Sequence, residues 1–500
     1  MPLEEVLSMQ SSLPLIRRFS ALLCAFALLL PARVSMAAAD RISGTYTIDA
    51  ILYIPDFQSA EFQEKRVEGI EVSTRAPLEK TLLTLLLEEI AEGVPENYSI
   101  LRDLSLLSPG YIQSRTTALI HLSGEALQLD PLSRFTLCQA ITNTICAPGQ
   151  IKACLIMSDG KALSLDEAQT IPTGVFAPDE YSDPLAAMSQ LLLRHTESET
   201  ADLHYRANTA LFYPTSAGHG VICEVKALTY ASDDTPEAAV RTIISGLSDS
   251  GMYDVPQIPL LNDFLIADPV LEKTDDGESI MVLKFDVSLS NTLSENGILR
   301  STLMAALTMS LQGYFPWISG VRCEIGGEPI LAIVPVGLLD GANEAISFER
   351  GYMMWQDFAH FMLTDVSLYF VNDGGELSET HRYIPSEWAF DPQRLIDQLN
   401  IGPSYYDSVT ELKGIFEETD LSEILSGITA AEHQIILDFK EPAWISADNL
   451  SSEQNAVYAI VNTLTQLQWC RRVLITVNGS APQGMLSYVT PFMRSMDYRR

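Results

Sequence analysis

Positive charge is scarce in this sequence. Of its 500 residues, 31 are Lys or Arg and 65 are Asp or Glu, so the formal net charge at pH 7 is −34. A surface of this sign repels the phosphates of nucleic acids and the head groups of anionic lipids. We therefore expect no nucleic acid among the partners, and contact with a membrane only through the N-terminal segment, if that segment is retained.

Motifs that mark active sites and metal sites are missing as well. The sequence has no G-x-S-x-G elbow, no P-loop and no G-x-G-x-x-G, and its seven His never stand in the H-x-x-x-H or H-E-x-x-H spacing of zinc ligands. The acidic pairs Asp233-Asp234 and Asp275-Asp276 depart from the EF-hand pattern and indicate solvated turns. We predict no catalytic residue, no cofactor and no metal ligand.

Long apolar runs are confined to the N-terminus. Arg17 and Arg18 precede the apolar run Phe19–Leu30, and the small residues Ala37–Ala39 follow it. This order is typical of a secretory signal peptide, with cleavage just before Asp40. The alternative is an uncleaved anchor, although a membrane-spanning helix needs about 20 apolar residues. We predict that residues 1–39 are a signal peptide or N-terminal anchor.

Cysteines show no C-x-x-C spacing. Cys24 lies in the N-terminal run and lacks the small residue that lipid attachment needs directly before it, so lipidation is a weaker option. An even number of Cys in an exported chain permits disulfides. A chain of this length can be held together by its core, so we predict buried thiols instead. The Cys that remain in the mature chain are Cys138, Cys146, Cys154, Cys223, Cys323 and Cys470.

One order of elements occurs three times along the chain. Each copy has a β-rich opening, a helix that starts near a Pro, a central strand, and then a closing helix, a short strand and a Gly-containing turn. The closing parts are Leu137–Gly160, Leu303–Gly327 and Ala456–Gly479. Their helices repeat apolar residues with spacings of about 4, 7 and 8, which indicates one helix face. The Asp-Gly and Asn-Gly pairs at the ends predict tight turns with positive φ.

This repeat predicts an α+β protein made of tandem modules. We expect each module to be an α/β sandwich with two helices packed on a small mixed sheet. The predicted boundaries are 40–165 for module 1, 200–335 for module 2, 360–485 for module 3 and 486–500 for a C-terminal tail.

The third copy resembles the GerMN domain of sporulation and spore-germination proteins. The resemblance rests on the run from Ala459 to Thr465, on Val473–Ile475, on Asn478-Gly479 and on the opening Leu368–Phe370. The first copy keeps Ile141–Thr144 and Asp159-Gly160, whereas the second departs more, with Leu307–Ser310 and Gly326-Gly327.

The resemblance implies a fold similar to the ring-building modules of sporulation channels. It also implies an exported or membrane-attached protein of a Gram-positive bacterium that takes part in sporulation, germination or cell-wall assembly. The family has no established active site, so the resemblance implies no catalytic residue.

Five polar or aromatic residues are candidate contacts for a partner. The alternative for the asparagines is local hydrogen bonding near a helix end, and for the aromatic residues it is burial in the core. The candidates are Asn143, Asn462, Tyr314, Trp317 and Trp469.

We therefore expect a non-enzymatic envelope protein that binds a protein or peptidoglycan partner, with self-association of modules as an open option. One alternative is a surface protein that binds a solute or a metal ion. The other is a wall-glycan hydrolase that uses a pair of scattered carboxylates.

Overall fold

The computed structural model describes residues 44–168, 170–178, 188, 204–216, 218–231, 234–252, 255–339, 341–404, 412–416, 420–431, 433–445 and 449–495. The predicted signal peptide lies outside these residues. The fold is α+β, because helices and small mixed sheets alternate along the chain. The predicted fold class is thus confirmed.

Module 1 begins with a hairpin and ends with a small sheet, and its helices pack between the two. In chain order its elements are β1 (Thr45–Asp56), β2 (Glu61–Ser73), α1 (Leu78–Gly93), β3 (Leu106–Ser114), β4 (Thr117–Leu122), α2 (Pro131–Cys146), β5 (Ala153–Ser158) and β6 (Lys161–Ala162).

Module 2 repeats this order with one additional helix. Its elements are β7 (His204–Pro214), β8 (Val221–Ala231), α3 (Pro236–Gly246), β9 (Val270–Lys273), β10 (Ser279–Phe285), α4 (Ser288–Glu295), α5 (Arg300–Gln312), β11 (Gly320–Ile325) and β12 (Glu328–Pro329). A short ladder of β13 (Ala332–Ile333) and β14 (Ile346–Ser347) follows.

Module 3 has the same order again. Its elements are β15 (Leu363–Val371), β16 (Leu377–Pro385), α6 (Pro392–Ile401), α7 (Leu421–Ile424), β17 (Leu425–Ala431), β18 (Gln434–Phe439), α8 (Leu450–Leu464) and β19 (Arg472–Val477), and β20 (Phe492–Met493) lies in the tail.

The three modules share one sheet topology. Each opening hairpin is an antiparallel two-stranded sheet of its own, and each module adds a four-stranded sheet. In every four-stranded sheet the two central strands are parallel and both edge strands are antiparallel to their neighbours. Parallel neighbours need a crossover connection, which the closing helices α2, α5 and α8 supply.

The central strands align residue by residue between modules. The paired residues run from Thr117↔Ala153 to Leu122↔Ser158, from Ile280↔Gly320 to Phe285↔Ile325 and from Gln434↔Arg472 to Phe439↔Val477. Thr117, Ile280 and Gln434 are therefore equivalent positions, and the residues after them correspond in order. We call the sheet face that points away from the closing helix the outer face.

The turn that follows each parallel pair has the predicted conformation. Its first residue has φ of 48° at Asp159, 62° at Gly326 and 50° at Asn478. The glycine after it has φ of 73°, 83° and 75°, respectively. Two successive positive φ values are the signature of a type I′ turn, which explains the Asp-Gly, Gly-Gly and Asn-Gly pairs.

The chain beyond each turn returns to pair with the sheet, through a single residue in modules 1 and 2 and through strand β20 in module 3. Cys154, Val321 and Val473 are equivalent, and they pair antiparallel with Phe176, Met353 and Phe492. These three partners lie in the segments that follow the predicted modules. The segments after the predicted modules therefore extend the sheet edges, where an unpaired backbone would be a site for unwanted association.

The closing helices are buried on nearly all sides in modules 1 and 2. The expectation of a single apolar face is wrong there, because the hairpin covers the side of the helix that the sheet leaves open. Polar residues on that side bond the hairpin instead. Thr144 Oγ1 accepts from the backbone N–H of Tyr53 at 3.0 Å, and Ser310 Oγ accepts from that of Phe212 at 3.0 Å.

The modules share their cores rather than forming separate units. One hydrophobic cluster joins module 1 to module 3, and a second joins module 2 to the outer face of module 1. Leu119 and Leu155 on that outer face are 3% and 1% exposed. Ser114 at the end of β3 contacts both other modules.

Candidate functional site

Two of the predicted aromatic contacts are interior residues. Trp469 is 4% exposed, stacks on Tyr46 at 6.1 Å and donates from Nε1 to the carbonyl of Thr74 at 3.1 Å. Since Tyr46 and Thr74 belong to module 1, Trp469 holds modules 1 and 3 together. Tyr314 is 2% exposed and stacks on Tyr230 at 5.1 Å. These rings are used inside the chain.

Trp317 is the more accessible aromatic candidate. It is half-buried and packs on Phe315 with ring centroids 4.8 Å apart. It stays a candidate contact for a partner, with no structural feature that identifies the partner.

The two asparagines differ in their surroundings. Asn462 is fully buried, donates from Nδ2 to the carbonyl of Ser495 at 3.2 Å and accepts from its N–H at 2.9 Å. It fixes the end of the chain that follows β20. Asn143 is half-buried and accepts from Gln139 at 3.0 Å. The burial of Asn462 assigns it to the structure, whereas Asn143 remains a candidate.

A small cleft of about 60 Å³ lies between modules 1 and 3. Its lining combines aromatic rings with side-chain amides and one carboxylate, that of Asp365. Gln113 lines the cleft, is 6% exposed, and its Oε1 is buried without a partner among the described residues. The cleft therefore offers acceptors to a small polar group, and it has none of the paired carboxylates that glycoside hydrolysis needs.

A larger groove of about 500 Å³ lies on module 2 between α4, α5 and the chain after β12. Val334 and Val336 on its rim are 60% and 59% exposed. Its lining is apolar apart from serines and Arg300, and Arg300 donates to Ser290 Oγ at 3.3 Å. Nothing in the groove can act as an acid or a base.

Burial suppresses the reactivity of the thiols. All six Cys of the predicted mature chain are buried and unbridged. Burial raises the pKa of Cys138, Cys223 and Cys470 to about 12. A thiol with such a pKa stays protonated near neutral pH and is a poor nucleophile and metal ligand.

Buried carboxylates serve the structure. Glu453 is fully buried, and its carboxylate accepts from Met485 N–H, Leu486 N–H and Tyr488 Oη within 3.0 Å. Glu79 is also fully buried and accepts from Gln468 at 2.8 Å across the contact of modules 1 and 3. Burial raises the pKa of Glu79.

No group of His, Cys, Asp and Glu in the described part of the chain is arranged to hold a metal ion. Asp275 and Asp276 lie in the turn between β9 and β10, where Gly277 has φ of 84°. Asp233 lies outside the described residues, and Asp234 accepts from the N–H of Ala231 at 2.9 Å. Among the residues that the structure describes, no helix has the length and apolarity that crossing a membrane requires.

Sequence reasoning missed the residues that join the modules. Ser114, Glu79 and Gln468 carry no motif, and each is recognisable only once its distant partner is known. Glu79 stands in front of the run of leucines in α1, but its complete burial is visible only in the structure.

These features define a multi-module α+β protein whose units are fused through shared cores. Residues 367–483 match the family model described as Germane, sporulation and spore germination. The resemblance to the GerMN domain is thus confirmed for module 3.

Two solved structures are similar to parts of the chain. One is the tandem GerMN domains of the sporulation protein GerM from Bacillus subtilis, with 18% identity, a TM-score of 0.21 and coverage of 58% of this chain and 98% of that chain. The other is a protein from Clostridium perfringens described as a lipoprotein, with 20% identity, a TM-score of 0.18 and coverage of 26% and 87%. A comparison with curated proteins gives no match.

Proposed function

We propose that this is an exported, non-enzymatic protein of the cell envelope that binds a protein or peptidoglycan partner during sporulation, germination or wall assembly. The observation that carries the proposal is the family match of residues 367–483. The same proposal treats modules 1 and 2 as further copies of the module, which their common sheet topology and residue-by-residue register support.

A binding role is supported by the chemistry of the described residues. Burial raises the pKa of the Cys138, Cys223 and Cys470 thiols. Among the described residues that line the cleft between modules 1 and 3, Asp365 is the one that carries a carboxylate. Export is supported by the order of charged, apolar and small residues in the first 39 positions.

Export is tested by N-terminal sequencing of the protein recovered from its own cells. Cleavage before Asp40 is the expected result. A mature chain that begins at Met1 and fractionates with cytoplasmic proteins would contradict the proposal.

The partner is sought by immobilising residues 40–500 and exposing them to purified sacculi and to envelope extracts. We expect selective retention of one of these, identified by mass spectrometry. A soluble protein of comparable negative charge is the matched control, because it reveals retention due to charge alone. Equal retention by both baits, or none by either, would contradict the binding role.

A further inference from the structure

The outer face of the four-stranded sheet has different neighbours in each module. In module 1 it carries Leu119, Leu155 and Met157, which are 3%, 1% and 2% exposed because module 2 covers them. The covering element is the hairpin β7–β8 with the end of α5. A Cβ on Gly313 would lie 3.1 Å from Leu155 Cδ2 and 3.9 Å from Phe212 Cε2, so the hairpin ring sits beside the sheet leucine.

Module 2 covers part of this face with its own chain. Ile280 and Val282, the latter equivalent to Leu119, are 2% and 0% exposed and pack with Tyr352. Arg322 stands at the position equivalent to Leu155 and pairs with Glu272 and Glu324. Lys284 adds a pair with Glu324 at 3.6 Å. The face of module 2 is therefore occupied by Tyr352 and by ion pairs, and not by a neighbouring module.

Module 3 keeps apolar residues at the equivalent positions of this face. Ile436 is equivalent to Leu119 and Leu474 to Leu155. Both are half-buried, and both lie outside all the hydrophobic clusters of the described residues. Met493 beside them is 68% exposed. Within the described residues, the face that holds a neighbouring module in module 1 thus has no module docked on it in module 3.

The complementary element is open in module 1. Tyr53 is equivalent to Phe212, because the N–H of each is bound by the equivalent hydroxyl of its closing helix. Phe212 is fully buried, whereas Tyr53 is half-buried and the adjacent outward residue Ile51 is 39% exposed. The hairpin β1–β2 of module 1 thus presents the surface that module 2 uses to dock.

Charge favours a contact between these two surfaces. Arg471 and Arg472 are exposed at the edge of the module 3 face, in a chain whose net charge is −34. Residues 45–73 of the hairpin contain six acidic residues and two basic ones. The acidic hairpin of a second copy matches the basic edge of this face, and such complementarity favours correct pairing.

We propose that copies of this chain associate head to tail, with the outer face of module 3 in one copy receiving the hairpin β1–β2 of the next. The contact repeats between chains the one that joins modules 1 and 2 within a chain. It is heterologous, since two different surfaces meet. It does not depend on the identity of the envelope partner proposed above.

The test uses two variants of residues 40–500, each of which removes one side of the contact. Leu474→Asp places a carboxylate on the face, and Ile51→Arg places a cation on the hairpin. We expect the unaltered chain to associate in sedimentation velocity as its concentration rises to about 100 µM. Each variant alone should weaken association at least about tenfold.

A mixture of the two variants distinguishes head-to-tail association from face-to-face association. Leu474→Asp retains an intact hairpin and Ile51→Arg an intact face, so an equimolar mixture should form a one-to-one dimer. A face-to-face contact would instead respond to Leu474→Asp and not to Ile51→Arg, and that result overturns the proposal. An unaltered chain that stays monomeric overturns it as well.

Two further variants guard against misfolding. Arg472→Glu changes an exposed side chain and should weaken association without altering the circular dichroism spectrum. Ile401→Asp alters a residue of module 3 that is 68% exposed at the end of α6, away from the sheet face, and should associate normally. Loss of association with Ile401→Asp, or none with Arg472→Glu, would count against the assigned surface.

Discussion

Ser114 is the residue at which all three modules meet. Its hydroxyl donates to the carbonyl of Leu363 in module 3 at 2.7 Å and accepts from the N–H of Cys223 in module 2 at 3.0 Å. Ser114 is fully buried. Replacement by Ala would leave a buried donor and a buried acceptor unpaired, and each such group costs about 1–3 kcal/mol.

We therefore expect Ser114→Ala to lower the free energy of unfolding in urea by at least about 1 kcal/mol. Ser451→Ala is the matched control, because Ser451 is exposed in α8 and its change should stay within about 0.5 kcal/mol. Equal effects of the two substitutions would show that the Ser114 hydroxyl does not join the modules.

His121 gives the chain a pH-dependent stability. It is 4% exposed, and its Nε2 accepts from the N–H of Gly160 at 2.7 Å, so the neutral ring carries its proton on Nδ1. Burial lowers the pKa of His121 from 6.5, and Asp159 opposes this shift. As the pH falls below about 6.5, the unfolded chain binds a proton that the folded chain excludes, so stability is lost.

The wild-type chain should therefore lose stability relative to His121→Gln between pH 7 and pH 5, by up to about 1.4 kcal/mol per pH unit. Urea unfolding at several pH values measures the difference. The raised pKa of Glu79 acts in the opposite direction and is common to both chains, so it cancels. Parallel curves for wild type and His121→Gln would contradict the assignment.

At the scale of the element, the closing turn of module 3 allows the cost of a positive φ to be measured without steric contact of the added side chain. Gly479 has φ of 75°, and a Cβ there would meet nothing within 4 Å. Gly479→Ala should thus cost about 1–2 kcal/mol through the left-handed backbone alone. Gly93→Ala, at a helix end with equal space and ordinary φ, should instead stabilise by about 0.4–1 kcal/mol. Thermal unfolding compares them, and a neutral Gly479→Ala would contradict the turn.

Elements with local signals were predictable from the sequence. The Asn478-Gly479 turn and the register of the closing helices follow from residues within one turn or one helix. The edge residues Phe176, Met353 and Phe492 leave no such pattern, because each pairs across 19 to 32 positions through its backbone. Burial in the core was one of the two alternatives for Trp469, but its partner Tyr46 could not be predicted, because it lies in another module.

At the scale of the whole molecule, the shared cores predict joint unfolding. Trp469 reports on the contact of modules 1 and 3, and Trp317 reports on module 2. Because module 1 contributes to both large clusters, loss of either neighbour exposes its apolar residues to water. Tryptophan fluorescence and circular dichroism of the unaltered chain should therefore give coincident urea midpoints, as a cooperative transition requires. Separate midpoints would mean that the modules unfold independently. If Ser114→Ala shifts a midpoint that both probes share, the hydrogen bonds of Ser114 to modules 2 and 3 contribute to this joint unfolding.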